Sequence, residues 1–310
     1  MSKIFETLNK GGGRTIADLI RPLVGLPEDA GLRGGAGPEP VGTPVDGAAP
    51  LAKEGAVSGE NFPARIRTLG LRIPAPSPLL PFEDGQWRAS EQYRVLRTKI
   101  VQHPKQPRVL VISSPAPGDG KSITAINLAA ILSLRTEAQV LLVDADLRNS
   151  AIHVRMGLPE APGLADVLRG GCNPEDALIN TRELPNLCVM SAGAPPGNPV
   201  ELLDSAKWPA VCTGFRSLFR YVVIDSPPIA AVADFDLIQA LCDGVVLVVR
   251  PDHTHRQLLA RSLEIVAKQK LLGVVLNCVP EWFLAKGSSP DYYYYRGGYD
   301  PAKADLPKAR

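Results

Sequence analysis

Ser113-Ser114-Pro115-Ala116-Pro117-Gly118-Asp119-Gly120-Lys121-Ser122 is the stretch whose residue types and spacing speak most directly of chemistry. It closes on Gly-Lys-Ser, the end of a phosphate-binding loop, with Pro115 where the common pattern has its first glycine. Gly118 and Gly120 would let backbone N–H groups curl around phosphates. A helix starting near Lys121 would point its positive end at the same anion. Lys121 would neutralise charge on the β- and γ-phosphates, and the Ser122 hydroxyl would ligate Mg²⁺. Pro117, Gly118, Asp119, Gly120, Lys121, Ser122 and Ile123 are therefore the candidate nucleotide contacts, with ATP and Mg²⁺ as the expected cofactors.

Two acidic stretches follow. Leu141-Leu142-Val143-Asp144-Ala145-Asp146-Leu147-Arg148 sets two aspartates at the end of an apolar run. Tyr221-Val222-Val223-Ile224-Asp225-Ser226-Pro227-Pro228 ends another run in a single one. Carboxylates at the C-terminal ends of buried strands sit where open α/β sheets bind ligands. Asp144, Asp146 and Asp225 are thus candidates for metal binding with Ser122, or for ordering metal-bound water and taking a proton. Spacing alone does not divide the roles of Asp144 and Asp146. Asn277, after the last apolar run, is placed to face a base, with a turn asparagine as the equal alternative. Arg250 is similarly placed. His153, His253 and His255 show no triad or metal spacing and read as surface or structural residues.

The elements that must carry these residues are legible from the apolar runs at 109–112, 140–143, 187–190, 221–224, 245–249 and 274–276. Continuous β-branched runs fit strands buried on both faces. The stretches Ile123–Leu134, Ala230–Leu241 and Arg256–Lys268 have helical periodicity. The predicted fold is α/β, a doubly wound and mostly parallel sheet of the P-loop NTPase kind.

Three regions divide the 310 residues. Between Pro22 and Pro81 lie eleven prolines and ten glycines, a composition too poor in apolar residues to offset the entropy of ordering. Residues 1–84 are accordingly expected to be a flexible arm, with Ile4, Phe5 and Leu8 on one face of a short helix. Residues 85–281 form the expected nucleotide-binding domain. Residues 282–310 form a tail in which Tyr292, Tyr293, Tyr294, Tyr295 and Tyr299 account for five of the seven tyrosines.

Composition excludes several classes. A net charge of +2 gives no basic excess for nucleic acid. No apolar run approaches the ~20 residues of a membrane span, and the N-terminus lacks a signal-peptide core. Five scattered cysteines without a CxxC pair fit free thiols in a reducing cytosol.

In combination, these stretches resemble the bacterial tyrosine kinases of capsular and extracellular polysaccharide systems. The loop 113–122 is similar to their Walker A motif, Asp144–Arg148 to their second Walker motif and Asp225–Pro228 to Walker B. Glu91, Arg94 and Arg97, every third residue of one helix, are similar to the family's subunit-association helix. Gly163–Leu168, Ala192-Gly193 with Asn198–Leu203, and Gly273–Asn277 also fit family patterns. The resemblance covers about residues 86–281. It implies an ATP-dependent protein-tyrosine autokinase in which Lys121, Asp144, Asp146 and Asp225 act on the tail tyrosines. It further implies a ring-like homo-oligomer modifying itself in trans, with control of exopolysaccharide or capsule synthesis and export. The implied partners are a membrane-embedded chain-length regulator that activates the kinase and a cognate tyrosine phosphatase. The implied location is cytoplasmic, peripheral to the inner face of the membrane. The competing class is a P-loop ATPase switch or scaffold of the Min/Par type. Such switches usually carry a further lysine early in the P-loop, and Ser113–Asp119 has none.

Overall fold

The computed structural model describes residues 3–6, 66–74, 77–79, 87–134, 139–229 and 233–279. Among the described residues nine strands form one sheet: β1 Lys3–Glu6, β2 Arg67–Leu69, β3 Val109–Ser113, β4 Val140–Asp144, β5 Leu178–Thr181, β6 Leu187–Met190, β7 Tyr221–Asp225, β8 Gly244–Val249 and β9 Leu271–Leu276. Their order across the sheet is β1-β9-β8-β3-β7-β4-β6-β5-β2. The six strands from β9 to β6 run parallel; β1 on β9 and β5 on β6 are antiparallel, and β2 joins β5 in parallel.

The central strands are buried along their whole length, as their unbroken apolar runs require. Alternation then sends side chains to two cores. Val109, Val111, Leu141 and Val143 pack on one side against Trp208, Phe215, Phe235 and Leu259 of the helices Lys207–Leu218, Asp234–Ala240 and Arg256–Ile265. Leu110, Ile112, Val140 and Leu142 pack on the other against the helix Lys121–Ser133 and against Tyr93, Leu96 and Ile100 of the helix Trp87–Val101. The helix 121–133 is apolar nearly all round because it lies between the sheet and a second helix.

Asp243 anchors the entrance to β3. Its Oδ2 accepts from the backbone N–H of Arg108 at 2.9 Å and of Val109 at 2.8 Å, while the Arg216 guanidinium forks onto both of its oxygens. β3 must start in register for its far end to deliver the phosphate loop. Among the described residues no helix is long and apolar enough to cross a membrane.

One expectation needs correction. Lys3–Glu6 is a strand, not part of a helix bearing Ile4, Phe5 and Leu8, and its register on β9 runs from Lys3 opposite Leu276 to Glu6 opposite Gly273. The edge of β9 offers unpaired backbone groups, which outweigh weak helical periodicity over so few residues. Within residues 1–84, the segments 67–69, 72 and 79 make contacts with the sheet domain. Arg67–Leu69 joins the sheet, Arg72 N–H donates to the Met156 carbonyl at 3.1 Å, and Leu79 is fully buried.

Candidate functional site

The carboxyl ends of β3, β4, β7 and β9 meet at one edge of the sheet, and all three sequence-predicted motifs lie there. The loop after β3 turns twice through left-handed backbone, at Gly118 (φ 85°) and Gly120 (φ 98°). A Cβ on Gly120 would fall on the Asn277 side-chain nitrogen, so this position needs glycine for space as well as for conformation. Pro117 and Gly118 form the exposed crest, Ser122 is buried, and Ile123 is half-buried. Pro115 fits because the turn is held elsewhere: the Ser114 hydroxyl donates to the Ala116 carbonyl at 2.7 Å, and Ile229 N–H donates to the Ser114 carbonyl at 2.9 Å.

Lys121 opens the helix directly beneath the loop. Its Nζ lies 2.7 Å from Asp146 Oδ2 and 3.7 Å from Asp225 Oδ1. Burial works against the ammonium, but Asp225, Asp146 and Asp144 outweigh it and hold its pKa above the ordinary value. Lys121 therefore carries a full positive charge at the mouth of the loop.

Asp144 and Asp146 differ in their contacts. Asp144 Oδ2 accepts the N–H groups of Ala151 (3.0 Å) and Ile152 (3.1 Å), and Oδ1 accepts that of Asp146 (3.2 Å). Burial, then the neighbouring charge of Asp225, raise its carboxyl to about 7 against those backbone donors and Lys121. In this geometry Asp144 is turned to the backbone and Asp146 to Lys121. Among the described residues no three His, Cys, Asp or Glu converge into a ready cation cage.

Asp225 is different. It is fully buried, and no donor meets its carboxylate oxygens in close hydrogen-bond geometry, although the Ser122 hydroxyl and Lys121 Nζ, the latter 3.7 Å from Oδ1, stand next to them. Burial pushes its pKa up to about 6, opposed by Lys121 and the Ser122 hydroxyl. Buried carboxylate oxygens without close donors are costly. Their position beside Lys121 and Ser122 suits a divalent cation, so the residues present fit Mg²⁺ through Ser122 and Asp225.

The loops around the site are tied together by contacts that the sequence did not predict. Arg148 forks onto the fully buried Asp234 at 2.9 and 3.0 Å, joining the segment after β4 to the helix after β7. Asp119 turns its side chain inward, where Ala116 N–H, the Thr254 hydroxyl and the His253 ring reach it. Asn277 Nδ2 donates to the Asp119 carbonyl at 2.9 Å, which places it over the loop. Long-range pairs of this kind carry no local pattern. Two stretches matched separately in the sequence do meet: Leu164 N–H and Ala165 N–H donate to the carbonyls of Ser191 and Ala192, and Asp166 Oδ2 accepts from Gly163 N–H and Ala194 N–H.

Glu91, Arg94 and Arg97 lie on the helix 87–101. Arg94 pairs with Glu91 within that helix at 2.9 Å, both more than half exposed, so this pair contributes little to stability by itself. The five tail tyrosines lie outside the described residues.

Comparison with known proteins places the chain among P-loop proteins. The family model described as ParA, NUBPL iron-transfer P-loop NTPase, matches residues 105–299. The chain is 37% identical over 208 residues to the tyrosine-protein kinase YwqD of Bacillus subtilis, a match covering 66% of this chain and 86% of that protein. It is 33% identical over 211 residues to the tyrosine-protein kinase CpsD of Streptococcus agalactiae, covering 66% and 90%. Among solved structures, the chimerical protein CapA2B2 superposes with a TM-score of 0.62 at 32% identity, covering 65% of this chain and 90% of that one. The BceF tyrosine kinase domain gives 0.56 at 34% identity, covering 62% and 78%.

Proposed function

The chain belongs to the bacterial tyrosine-protein kinases, and from that premise we propose that it transfers the γ-phosphoryl group of ATP to Tyr292, Tyr293, Tyr294, Tyr295 and Tyr299 of a neighbouring copy. The observation that supports this most is the convergence of Lys121 with Asp146 and Asp225 at the end of a two-glycine phosphate loop. The loop's backbone N–H groups and Lys121 would bind the triphosphate, so Lys121 would trade its carboxylate partner for phosphate oxygens. Ser122 and Asp225 would hold Mg²⁺, which supplies charge neutralisation on the β- and γ-phosphates.

A phenol with a pKa near 10 is protonated at neutral pH and must lose its proton during transfer. Asp144 is raised to about 7, a range suited to accepting that proton. Asp146, released by Lys121, is the second candidate acceptor. The reading extends to a ring-like oligomer associated through Glu91, Arg94 and Arg97, and to control of capsule or exopolysaccharide synthesis and export. Its partners would be a membrane-embedded chain-length regulator at the inner face of the membrane and a cognate phosphatase. New negative charge, about −1.5 to −2 per phosphate, would weaken tail docking and loosen the ring.

The test is phosphopeptide mass spectrometry on wild type and Lys121→Met after incubation with Mg·ATP, with and without the cytosolic end of the membrane regulator. Phosphate on the tail tyrosines in wild type only is the expected result; equal labelling of Lys121→Met would overturn it. A second reading, an ATPase switch, draws on the ParA-type match over residues 105–299. Nucleotide-dependent dimers on lipid with an unlabelled tail would favour it.

A further inference from the structure

The phosphate loop is clasped by residues far along the chain, and one of them stands at the surface. Asp119, within the loop, is fully buried. Its carboxylate accepts from Ala116 N–H at 3.0 Å, from the Thr254 hydroxyl at 2.7 Å and from His253 Nδ1 at 3.0 Å. The Thr254 oxygen itself accepts Arg250 N–H at 2.9 Å, so its one proton goes to Asp119. Asp119 already accepts a backbone N–H and a hydroxyl proton, so the tautomer that continues this pattern carries the His253 proton on Nδ1. Asn277 Nδ2 holds the backbone of the same residue through its carbonyl. Three side chains from the segments after β8 and β9 thus converge on one residue of the loop after β3.

Thr254 is buried, whereas the His253 side chain is 43% exposed. The His253 ring also lies over the crest of the loop: a Cβ at Gly118 would sit 3.3 Å from its Cε1 and 3.4 Å from its Nε2. A loop that must present several N–H groups to one anion binds best when its shape is set beforehand. Asp119 joins both halves of the loop, reaching Ala116 on one side and preceding Gly120 and Lys121 on the other. Whatever steadies its carboxylate steadies the binding groups.

We infer that His253 is a positioning residue for nucleotide binding, acting through its Nδ1 atom on Asp119 rather than by touching the nucleotide. This rests on the proposed reading of the loop as an ATP site. The two ring nitrogens make the idea separable, because an asparagine amide can place a donor where Nδ1 stands and a glutamine amide where Nε2 stands.

The experiment is calorimetric titration of the full chain with Mg·ADP for wild type, His253→Asn, His253→Gln and His253→Ala. Melting temperatures of the nucleotide-free proteins are measured alongside. Loss of one hydrogen bond to a charged group at a half-exposed position should weaken binding about tenfold in His253→Ala and His253→Gln, with His253→Asn staying within about twofold of wild type. Melting temperatures should move little. Unchanged affinity in His253→Ala overturns the inference while leaving the ATP site in place. So does His253→Asn binding as weakly as alanine, or His253→Gln retaining affinity, which would mean direct contact through Nε2. Wild type that does not bind Mg·ADP overturns the nucleotide reading, and the role of His253 with it.

Discussion

Asp144 and Asp225 are register partners across β4 and β7, so two buried carboxylates stand side by side at the ends of neighbouring strands. Parallel pairing brings them together because each closes an apolar run of similar length. Only Asp144 has backbone donors to itself. The pair is a concentration of negative potential that Lys121 only partly offsets. That is a sensible arrangement for a site whose ligand carries a cation, and a costly one without it.

The cost has a pH signature. Burial and mutual charge hold Asp144 at about 7 and burial holds Asp225 at about 6, against an ordinary 3.8. The folded chain therefore binds more protons than the unfolded chain across that interval, and stability falls as pH rises from about 4 to about 7. Asp243, held low by Arg216 against its own burial, acts in the opposite sense and only in more acid solution. Thermal melting of the nucleotide-free chain should be higher near pH 5 than at pH 8. Asp225→Asn should flatten part of that slope, and Mg·ADP should raise the high-pH end. A wild-type profile level from pH 5 to 8 would contradict the assignment.

Gly163 and Gly193 test the junction between the segments 163–166 and 191–194. A Cβ on Gly163 would land on the backbone of Gly193 and Ser191, with no flexible side chain to give way. Gly163→Ala should cost about 1–3 kcal/mol by overpacking. Gly197→Ala, where nothing lies within 4 Å of the new atom, is the matched control. Chemical denaturation of both variants should show a loss in the first and little change in the second.

Subunit association through the helix 87–101 predicts a change of mass. Arg94 is already paired with Glu91 inside the helix, so its value at an interface lies in presenting a fixed charge beside the exposed Val95. Reversing Arg94 and Arg97 to glutamate should lower the mass measured by light scattering while leaving the melting temperature near that of wild type. An unchanged mass would confine the pair to a local role.

Much of this was readable beforehand, for a physical reason. The strand runs, the two glycines, Lys121 and the three aspartates are local signals: continuous apolar residues force burial, and a polar group ending such a run must lie at the edge of the sheet. The separate contacts of Asp144 and Asp146 were not readable, because they depend on whether Ala151 and Ile152 or Lys121 comes nearer. Nor were Asp119–His253 and Arg148–Asp234, which join residues 134 and 86 positions apart. The strands 3–6 and 67–69 were hidden by composition, since edge strands borrow their order from β9 and β5 rather than from their own residues.

Arg148 and Asp234 give the last prediction. The guanidinium donates to both oxygens of a carboxylate with no exposure of its own, while Arg148 remains 40% exposed. This fork fastens the loop carrying Asp146 to the segment that follows Asp225. Arg148→Met would leave Asp234 buried without its counter-charge, and should cost about 2 kcal/mol, less than for a fully buried pair because water reaches the arginine side. Removing both charges, as Arg148→Met with Asp234→Leu, should cost less than Arg148→Met alone, since no unpaired charge is left behind. Arg148→Lys should keep most of the stability but lose the two-pronged geometry. If the fork positions the aspartates, this variant should lower the turnover number more than it raises KM for ATP. Urea denaturation and steady-state kinetics on the three variants separate the two effects. A stable Arg148→Met with unaltered turnover would show that the two loops hold their places without the fork.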